Sequence, residues 1–273
     1  MGCGASISLA VLFPLSYVGL LHIADHDGTD RNDPQSIRRR SIAAVVNNVL
    51  SVAITYAVLL QRNDPSPFRS MGFRSEGTLA AIVWPAVLVG VLYTGQWVLL
   101  YLDGQMKSFF SVSEWRASVQ QHTWIRDVVV GPVTEEITFR CCCVALLSGC
   151  VSPTMTVFVG PLPFACSHLH HIGDDRRRGF STGQAVARRV FQLVYTYIFG
   201  AYATYLFIST GHALAPIVTH AVCNCLGLPL FNEICTFSKR WQRLLLWTTY
   251  GLGMCGFAAL VAPLTRKELY QKW

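Results

Sequence analysis

The chain has 273 residues, of which 52% are hydrophobic and 14% are charged, whereas soluble domains usually carry about 25% charged residues. This composition excludes an ordinary soluble domain and indicates that much of the chain forms membrane spans. The net charge of +7 could suggest nucleic-acid binding. The basic residues, however, lie in short segments between apolar stretches, which is typical of membrane topology. We therefore expect no nucleic-acid partner.

Five segments are long, apolar and free of Asp, Glu, Lys and Arg: 5–24, 41–60, 77–102, 190–210 and 244–264. Each reaches the ~20 residues that a helix needs to cross the hydrocarbon core. Three further segments, 127–149, 150–171 and 211–231, are mostly apolar but contain carboxylates or histidines. The sequence therefore predicts an all-α protein: a polytopic integral membrane bundle of about eight transmembrane helices, forming one domain over residues 1–273.

The distribution of basic residues predicts the orientation of this bundle. Most of the 22 Lys and Arg residues fall in the loops after the first, third, fifth and seventh predicted spans. The positive-inside rule places those loops in the cytosol and both chain termini on the opposite side. The polar residues of the three mixed segments then lie in the cytosolic half of the membrane. A site built from them would open to the cytosol.

The first mixed segment contains three ionisable residues in close sequence: Glu135, Glu136 and Arg140. Adjacent residues of a helix differ in direction by ~100°, so the two carboxylates point differently. Glu136 and Arg140 are four residues apart and share a face, which predicts an ion pair with a supporting role. Glu135 is then available as a general base. The alternative is that both glutamates are structural partners of Arg140.

The other two mixed segments supply histidines and an amide. His168 and His171 share a helix face with Phe164, and His168 lies deepest in its segment. His220 and Asn224 are one turn apart on one face, and both can donate hydrogen bonds to an oxyanion. The alternative for this pair is structural hydrogen bonding between helices. Together with a buried glutamate, the set favours a catalytic site.

Two other functions are compatible with the same residues. Glu135, His168 and His220 form a set of zinc ligands, although the H-E-x-x-H motif is absent. The residues alone do not separate a metal-dependent mechanism from a metal-independent one. Buried polar groups could also line the ion path of a transporter. Their clustering in one membrane half, without an inverted repeat, argues against that function.

The ten cysteines show no CxxC pair and no disulfide framework, so most are expected to be small core residues. The N-terminal residues Met1–Ser6 fit the pattern for myristoylation, with Cys3 as a candidate for palmitoylation. Such short matches are frequent by chance. The charge distribution also places this end away from the cytosol. We therefore expect no lipid modification there.

The polar segments closely resemble the motifs of the type II CAAX endopeptidases, a family that also includes bacterial membrane proteins of the abortive-infection type. The stretches GPVTEE, SHLHHI, FQLVYTYIFGAYATYLFISTGH and MGFR extend the resemblance to about residues 70–265. The family motifs are Glu-Glu-x-x-x-Arg, Phe-x-x-x-His and His-x-x-x-Asn on three separate spans. Here they stand as Glu135-Glu136…Arg140, Phe164…His168 and His220…Asn224.

The resemblance implies an endopeptidase of the endoplasmic reticulum membrane with a catalytic core at about residues 120–232. Such an enzyme removes the last three residues from proteins whose cysteine, fourth from the end, is farnesylated or geranylgeranylated. Its expected partners are prenylated CAAX proteins, such as small GTPases, and membrane lipid.

The resemblance also implies a glutamate-dependent mechanism without a metal or other cofactor. In that mechanism Glu135 activates a water molecule, His168 orients both, and His220 and Asn224 stabilise the oxyanion. Glu136, Arg140, Phe164 and His171 support these four residues. A zinc-dependent protease that uses the same residues, or a non-catalytic scaffold or transporter, stays open as an alternative.

Overall fold

The computed structural model describes residues 2–25, 29–167, 169 and 172–271, which are mostly helical and contain no β-strand. The main helices are α1 (Cys3–Ala24), α2 (Pro34–Gln61), α3 (Thr78–Leu92), α4 (Thr94–Leu102), α5 (122–147), α6 (Thr182–Thr210), α7 (Leu214–Leu226) and α8 (Arg240–Leu264). Short α-helices cover Pro67–Ser70, Met106–Phe109, Val112–Val119, Pro153–Val159, Leu162–Ser167 and Ile172–Arg177, and 3-10 turns cover Phe231–Thr236 and Lys267–Tyr270.

Within these residues, five helices are long and apolar enough to cross a membrane, and six if the pair α3 and α4, bent by 61°, counts as one span. The predicted helical membrane bundle is therefore confirmed, but the predicted count of eight spans is not. The segment 150–171 is the clearest departure. Its apolar helix is interrupted at Gly160 and Pro161, because proline has no N–H group to continue the helical hydrogen bonds.

Helix α5 lies at the centre of the bundle, where it packs against α1, α2 and α7. Every residue from Thr138 to Leu146 is buried. The helix is continuous but contains two π-helical stretches, Arg126–Val130 and Ile137–Cys142. Such stretches shift the helical hydrogen bonds from the fourth to the fifth residue and are frequent at functional sites. They flank the Glu135–Glu136 pair on both sides.

Two groups of contacts define the ends of the bundle. At one end, Nη1 of Arg126, at the start of α5, donates to the carbonyl of Arg31 over 2.7 Å. Arg178 lies 3.8 Å from Asp30 at the same end. Asp30 and Arg31 follow the first predicted span, Arg126 follows the third and Arg178 follows the fifth. They gather on one side, as an alternating topology requires, and we name this side the basic end.

The opposite end is held by Arg62 and by a disulfide. Nη1 of Arg62 donates to the carbonyls of Leu146 and Ser148, at 3.0 and 3.3 Å, at the end of α5. Cys3 is bonded to Cys150, 147 residues away in the sequence. The sequence does not indicate this disulfide, because the two cysteines belong to no spacing motif. With Cys3 in a disulfide, its thiol is not available for palmitoylation.

Two helices begin well before their apolar stretches because polar residues cap them. Asp33 accepts hydrogen bonds from the N–H groups of Gln35 and Ser36, so α2 begins at Pro34 rather than near residue 41. Ser181 and Gln184 form a capping box that begins α6 at Thr182. Both extensions project at the basic end and carry charged side chains there.

Candidate active site

The imidazole of His220, on α7, lies between the two adjacent carboxylates of α5. Its Nδ1 is 2.8 Å from Oε1 of Glu136, and its Nε2 is 3.9 Å from Oε2 of Glu135. Phe199 packs against the other side of the ring, with the ring centroids 4.7 Å apart. The Glu136 side chain is fully buried, whereas that of Glu135 is 25% exposed. Glu135 is therefore the carboxylate that a substrate or a water molecule can reach.

Glu136 and Arg140 form the ion pair that their spacing predicts. Nη1 of Arg140 donates to Oε1 of Glu136 over 3.1 Å, and both side chains are buried. Nη2 donates to the carbonyl of Gly200 on α6. The same Glu136 oxygen also contacts His220, a contact that helical spacing does not predict. Glu136 thus holds both the arginine and the histidine in place.

A side chain on Gly200 would disturb this arrangement. A Cβ atom there would lie 2.8 Å from Cβ of Pro161 and 3.2 Å from Nη2 of Arg140. Both distances are shorter than ordinary packing contacts. Glycine is therefore required for α6 to approach Arg140 closely enough to accept its hydrogen bond.

Phe164 joins the segment before His168 to the same cluster. Its buried ring lies 5.0 Å from the guanidinium carbon of Arg140 and 4.8 Å from the ring of Phe139. Such cation–π and edge-to-face contacts stabilise a buried arginine. The two histidines predicted to follow on this segment, His168 and His171, lie outside the described residues. Their roles therefore stay predictions.

Asn224 contacts α5 through a backbone carbonyl. Its Nδ2 donates to the carbonyl of Asp127 over 2.7 Å. This carbonyl is free because the N–H of Gly131 bonds to the carbonyl of Arg126 in the π-helical pattern. The next donor in that pattern is residue 132, which is proline and has no N–H. The π-helical stretch and Pro132 together leave this carbonyl without a backbone donor in α5, and Asn224 bonds to it instead.

Buried polar contacts also join α5 to α1 and α2, and the sequence alone did not predict them. The hydroxyl of Tyr17 lies 2.8 Å from that of Thr134, next to Glu135. The hydroxyl of Thr138 donates to Asn48 over 2.7 Å and accepts from Asn47 at 3.3 Å. The adjacent asparagines within an otherwise apolar span were the available signal, because polar residues in spans often join helices.

The geometry leaves the zinc alternative open. No group of three or more His, Cys, Asp or Glu side chains within the described ranges is placed to hold a metal ion. The zinc set suggested by the sequence also needs His168, which lies outside those ranges.

Comparison with known proteins points to one family. The family model for "Type II CAAX prenyl endopeptidase Rce1-like" matches residues 119–226. The chain is 43% identical over 258 residues to CAAX prenyl protease 2 of Caenorhabditis elegans, covering 94% of this chain and 96% of that protein. It is 34% identical over 281 residues to the human protein of the same name, covering 98% and 83% of the two chains. No solved structure shows a significant match.

Proposed function

Because this chain belongs to the family of type II CAAX prenyl endopeptidases, we propose that it removes the last three residues from proteins whose cysteine, fourth from the C-terminus, carries a prenyl group. Small GTPases with such a C-terminus are the expected protein substrates. The observation that carries the proposal is the placement of His220 between a buried carboxylate, Glu136, and an accessible one, Glu135.

In the proposed mechanism, Glu135 takes a proton from a water molecule, which attacks the carbonyl carbon of the prenylated cysteine. The oxyanion that forms on this carbonyl is stabilised by hydrogen bonds from His220 and Asn224. The proton held by Glu135 then passes to the leaving amine. Nδ1 of His220 faces Glu136 and Nε2 faces Glu135, so in the proposed mechanism an N–H group at Nε2 is the oxyanion donor. His168 is proposed to orient Glu135 and the water.

We place the protein in the endoplasmic reticulum membrane with the site open to the cytosol. A prenyl group partitions into hydrocarbon, so it holds the neighbouring peptide bond at the membrane surface. CAAX proteins are prenylated in the cytosol, so this surface is the cytosolic one. Arg31, Arg126 and Arg178 gather at the end of the bundle where α5 begins, in agreement with the positive-inside rule. Glu135 lies at the middle of α5.

Cleavage of a farnesylated CAAX peptide by the purified full-length protein in lipid bilayers tests the activity. We expect Glu135→Gln to lower cleavage by about 10²–10⁴-fold, the usual contribution of a general base. Glu114→Gln, at an exposed glutamate of the helix Val112–Val119, is the matched control and should cleave normally. A folded wild-type protein that fails to cleave the peptide would refute the proposal.

The same assay with a strong chelator tests the metal-independent mechanism. We expect full activity in the chelator. If the chelator abolishes activity and zinc restores it, Glu135, His168 and His220 are zinc ligands instead.

Sealed microsomes test the orientation. A peptide added outside should be cleaved without detergent, because the cytosolic face of these vesicles is outermost. Cleavage only after permeabilisation would place the site on the luminal side.

A further inference from the structure

Four arginines from three separate segments gather at the basic end of the bundle, and we name them the mouth arginines: Arg31, Arg40, Arg126 and Arg178. Arg126 is the first residue of the π-helical stretch of α5, and its guanidinium bonds to the carbonyl of Arg31 at 2.7 Å. The carboxylate of Asp127 is close enough to act electrostatically on both Arg31 and Glu135. The mouth arginines therefore lie at the end of the bundle where α5, the helix that carries Glu135, begins.

Only one of the mouth arginines, Arg31, forms no ion pair among the described residues. The Arg31 side chain forms neither a hydrogen bond nor an ion pair there, although it is half-buried. Each of the other three is paired with a carboxylate: Arg126 with Asp127 at 2.7 Å, Arg40 with Asp25 at 3.4 Å and Arg178 with Asp30 at 3.8 Å.

The surroundings of Arg31 disfavour an unpaired positive charge. Burial lowers the pKa of its guanidinium, and the positive charges of Arg126, Arg40 and Arg178 lower it further, whereas the negative charge of Asp127 raises it. A guanidinium remains protonated under these conditions, so an anion bound beside it would relieve the repulsion. Planar carboxylates match the fork of N–H groups that an arginine presents.

We propose that Arg31 binds the C-terminal carboxylate of the substrate and so fixes which peptide bond reaches Glu135. The inference rests on the proposed CAAX endopeptidase function, because it concerns the same substrate. Arg31 is here a specificity-determining residue that contacts the substrate three residues beyond the bond that is cleaved.

The lengths agree with this assignment. Three extended residues place the terminal carboxylate about 10 Å from the scissile bond. Arg126 precedes Glu135 by nine residues of α5, a rise of about 13 Å along a helix. Arg31 lies beside Arg126, and a long arginine side chain covers the few ångströms that remain.

The test compares two farnesylated peptides of one sequence: the free acid and the C-terminal amide. Each is assayed with the wild-type protein, Arg31→Gln, Arg31→Lys and Arg38→Gln. Arg38 is an exposed arginine seven residues further along and is the matched control. We expect wild type to prefer the acid over the amide by about 10- to 100-fold in kcat/KM, the range that one charge-assisted hydrogen bond provides.

The expected result is that Arg31→Gln reduces the acid-to-amide ratio towards one, that Arg31→Lys keeps part of it and that Arg38→Gln keeps all of it. Equal cleavage of acid and amide by wild type would overturn the inference while leaving the proposed function intact. Equal losses on both peptides in Arg31→Gln would also overturn it, in favour of a structural role or of binding to a lipid phosphate. If Arg31→Gln does not fold, the wild-type ratio and the ratio in Arg31→Lys decide. Failure of wild type to cleave the free acid would instead refute the proposed function itself.

Discussion

The side-chain amide of Asn224 donates to the backbone carbonyl of Asp127 over 2.7 Å, and the acceptor is free because residue 132 is proline. This bond connects α7 to α5 one turn away from His220. It fixes the position of the amide that we propose as an oxyanion donor. A backbone irregularity, rather than a side-chain partner, therefore sets the geometry of this part of the site.

Replacing Pro132 by alanine should release Asn224. The new N–H can donate to the carbonyl of Asp127 within the helix, so the amide loses its partner. We expect kcat to fall by about tenfold, or ~1.4 kcal/mol, with little change in KM. Stability should be kept or improved, because alanine favours a helix interior more than proline does.

A double-mutant cycle separates this effect from a general one. Pro132→Ala should cause almost no further loss in an Asn224→Ala background, because the two changes remove the same contact. Pro85→Ala, at a buried proline inside α3, is the control and should leave kcat unchanged. Fully additive losses would show that Pro132 acts through something other than Asn224.

The two adjacent glutamates should respond differently to loss of charge. Glu136→Gln leaves the buried guanidinium of Arg140 without its counter-charge, which costs about 3–5 kcal/mol. We expect a lower melting temperature and loss of activity. Glu135→Gln should lower activity by about 10²–10⁴-fold with little change in melting temperature, because that side chain is 25% exposed.

A combined variant tests this explanation. Glu136→Gln with Arg140→Met removes both buried charges, so it should recover part of the stability without recovering activity. If Glu136→Gln melts like wild type, the pair does not stabilise the bundle as proposed.

Gly200→Ala should destabilise the protein by about 1–3 kcal/mol, because the added methyl group has no space beside Pro161 and Arg140. Differential scanning fluorimetry in detergent measures the change. Gly251→Ala is the matched control, since nothing lies within 4 Å of that position on the exposed face of α8. There the substitution should be neutral or stabilising. Equal effects at the two positions would contradict the close approach of α6 to Arg140.

The sequence predicts the apolar parts of this fold well and their polar extensions poorly. The bounds of α1 and α8 lie within a few residues of the predicted spans, because hydrophobicity alone defines them. Helix α6 begins eight residues before its apolar stretch because Ser181 and Gln184 cap it. That capping box is readable in the sequence, but a search for apolar segments alone does not find it.

The site was predictable where it depends on helical spacing. The spacing of four residues predicts that Arg140 and Glu136 share a helix face, and the two side chains do form a hydrogen bond. The contact of Glu136 with His220 depends on how two helices pack, and the contact of Asn224 with Asp127 depends on a π-helical stretch. Neither packing nor the shift to π-helical bonding has a simple sequence signature, so these contacts appear only in the structure.

The disulfide between Cys3 and Cys150 should form in the oxidising compartment opposite the basic end. It ties the start of α1 to the end of α5. Cys3→Ala and Cys150→Ala should each lower the melting temperature by several degrees and keep most of the activity, because neither residue lies in the site. Cys255→Ala, at an exposed free cysteine, is the control. Alkylation of Cys3 by a thiol reagent without prior reduction would contradict the bond.

The ion pair between Asp175 and Arg189 predicts a dependence of stability on pH. Arg189 donates to both carboxylate oxygens over 2.7 Å, and these bonds hold the pKa of Asp175 below its ordinary value. A carboxylate with a depressed pKa in the folded state contributes its full stability above its unfolded pKa of about 3.9 and loses it as the pH falls further.

Asp175→Asn should therefore melt at a lower temperature than wild type by the same amount from pH 7 to pH 5, and this difference should shrink below about pH 4. Asp103→Asn, at an exposed aspartate, should show no such difference. A difference that persists undiminished at about pH 3 would show that Asp175 does not act through its charge.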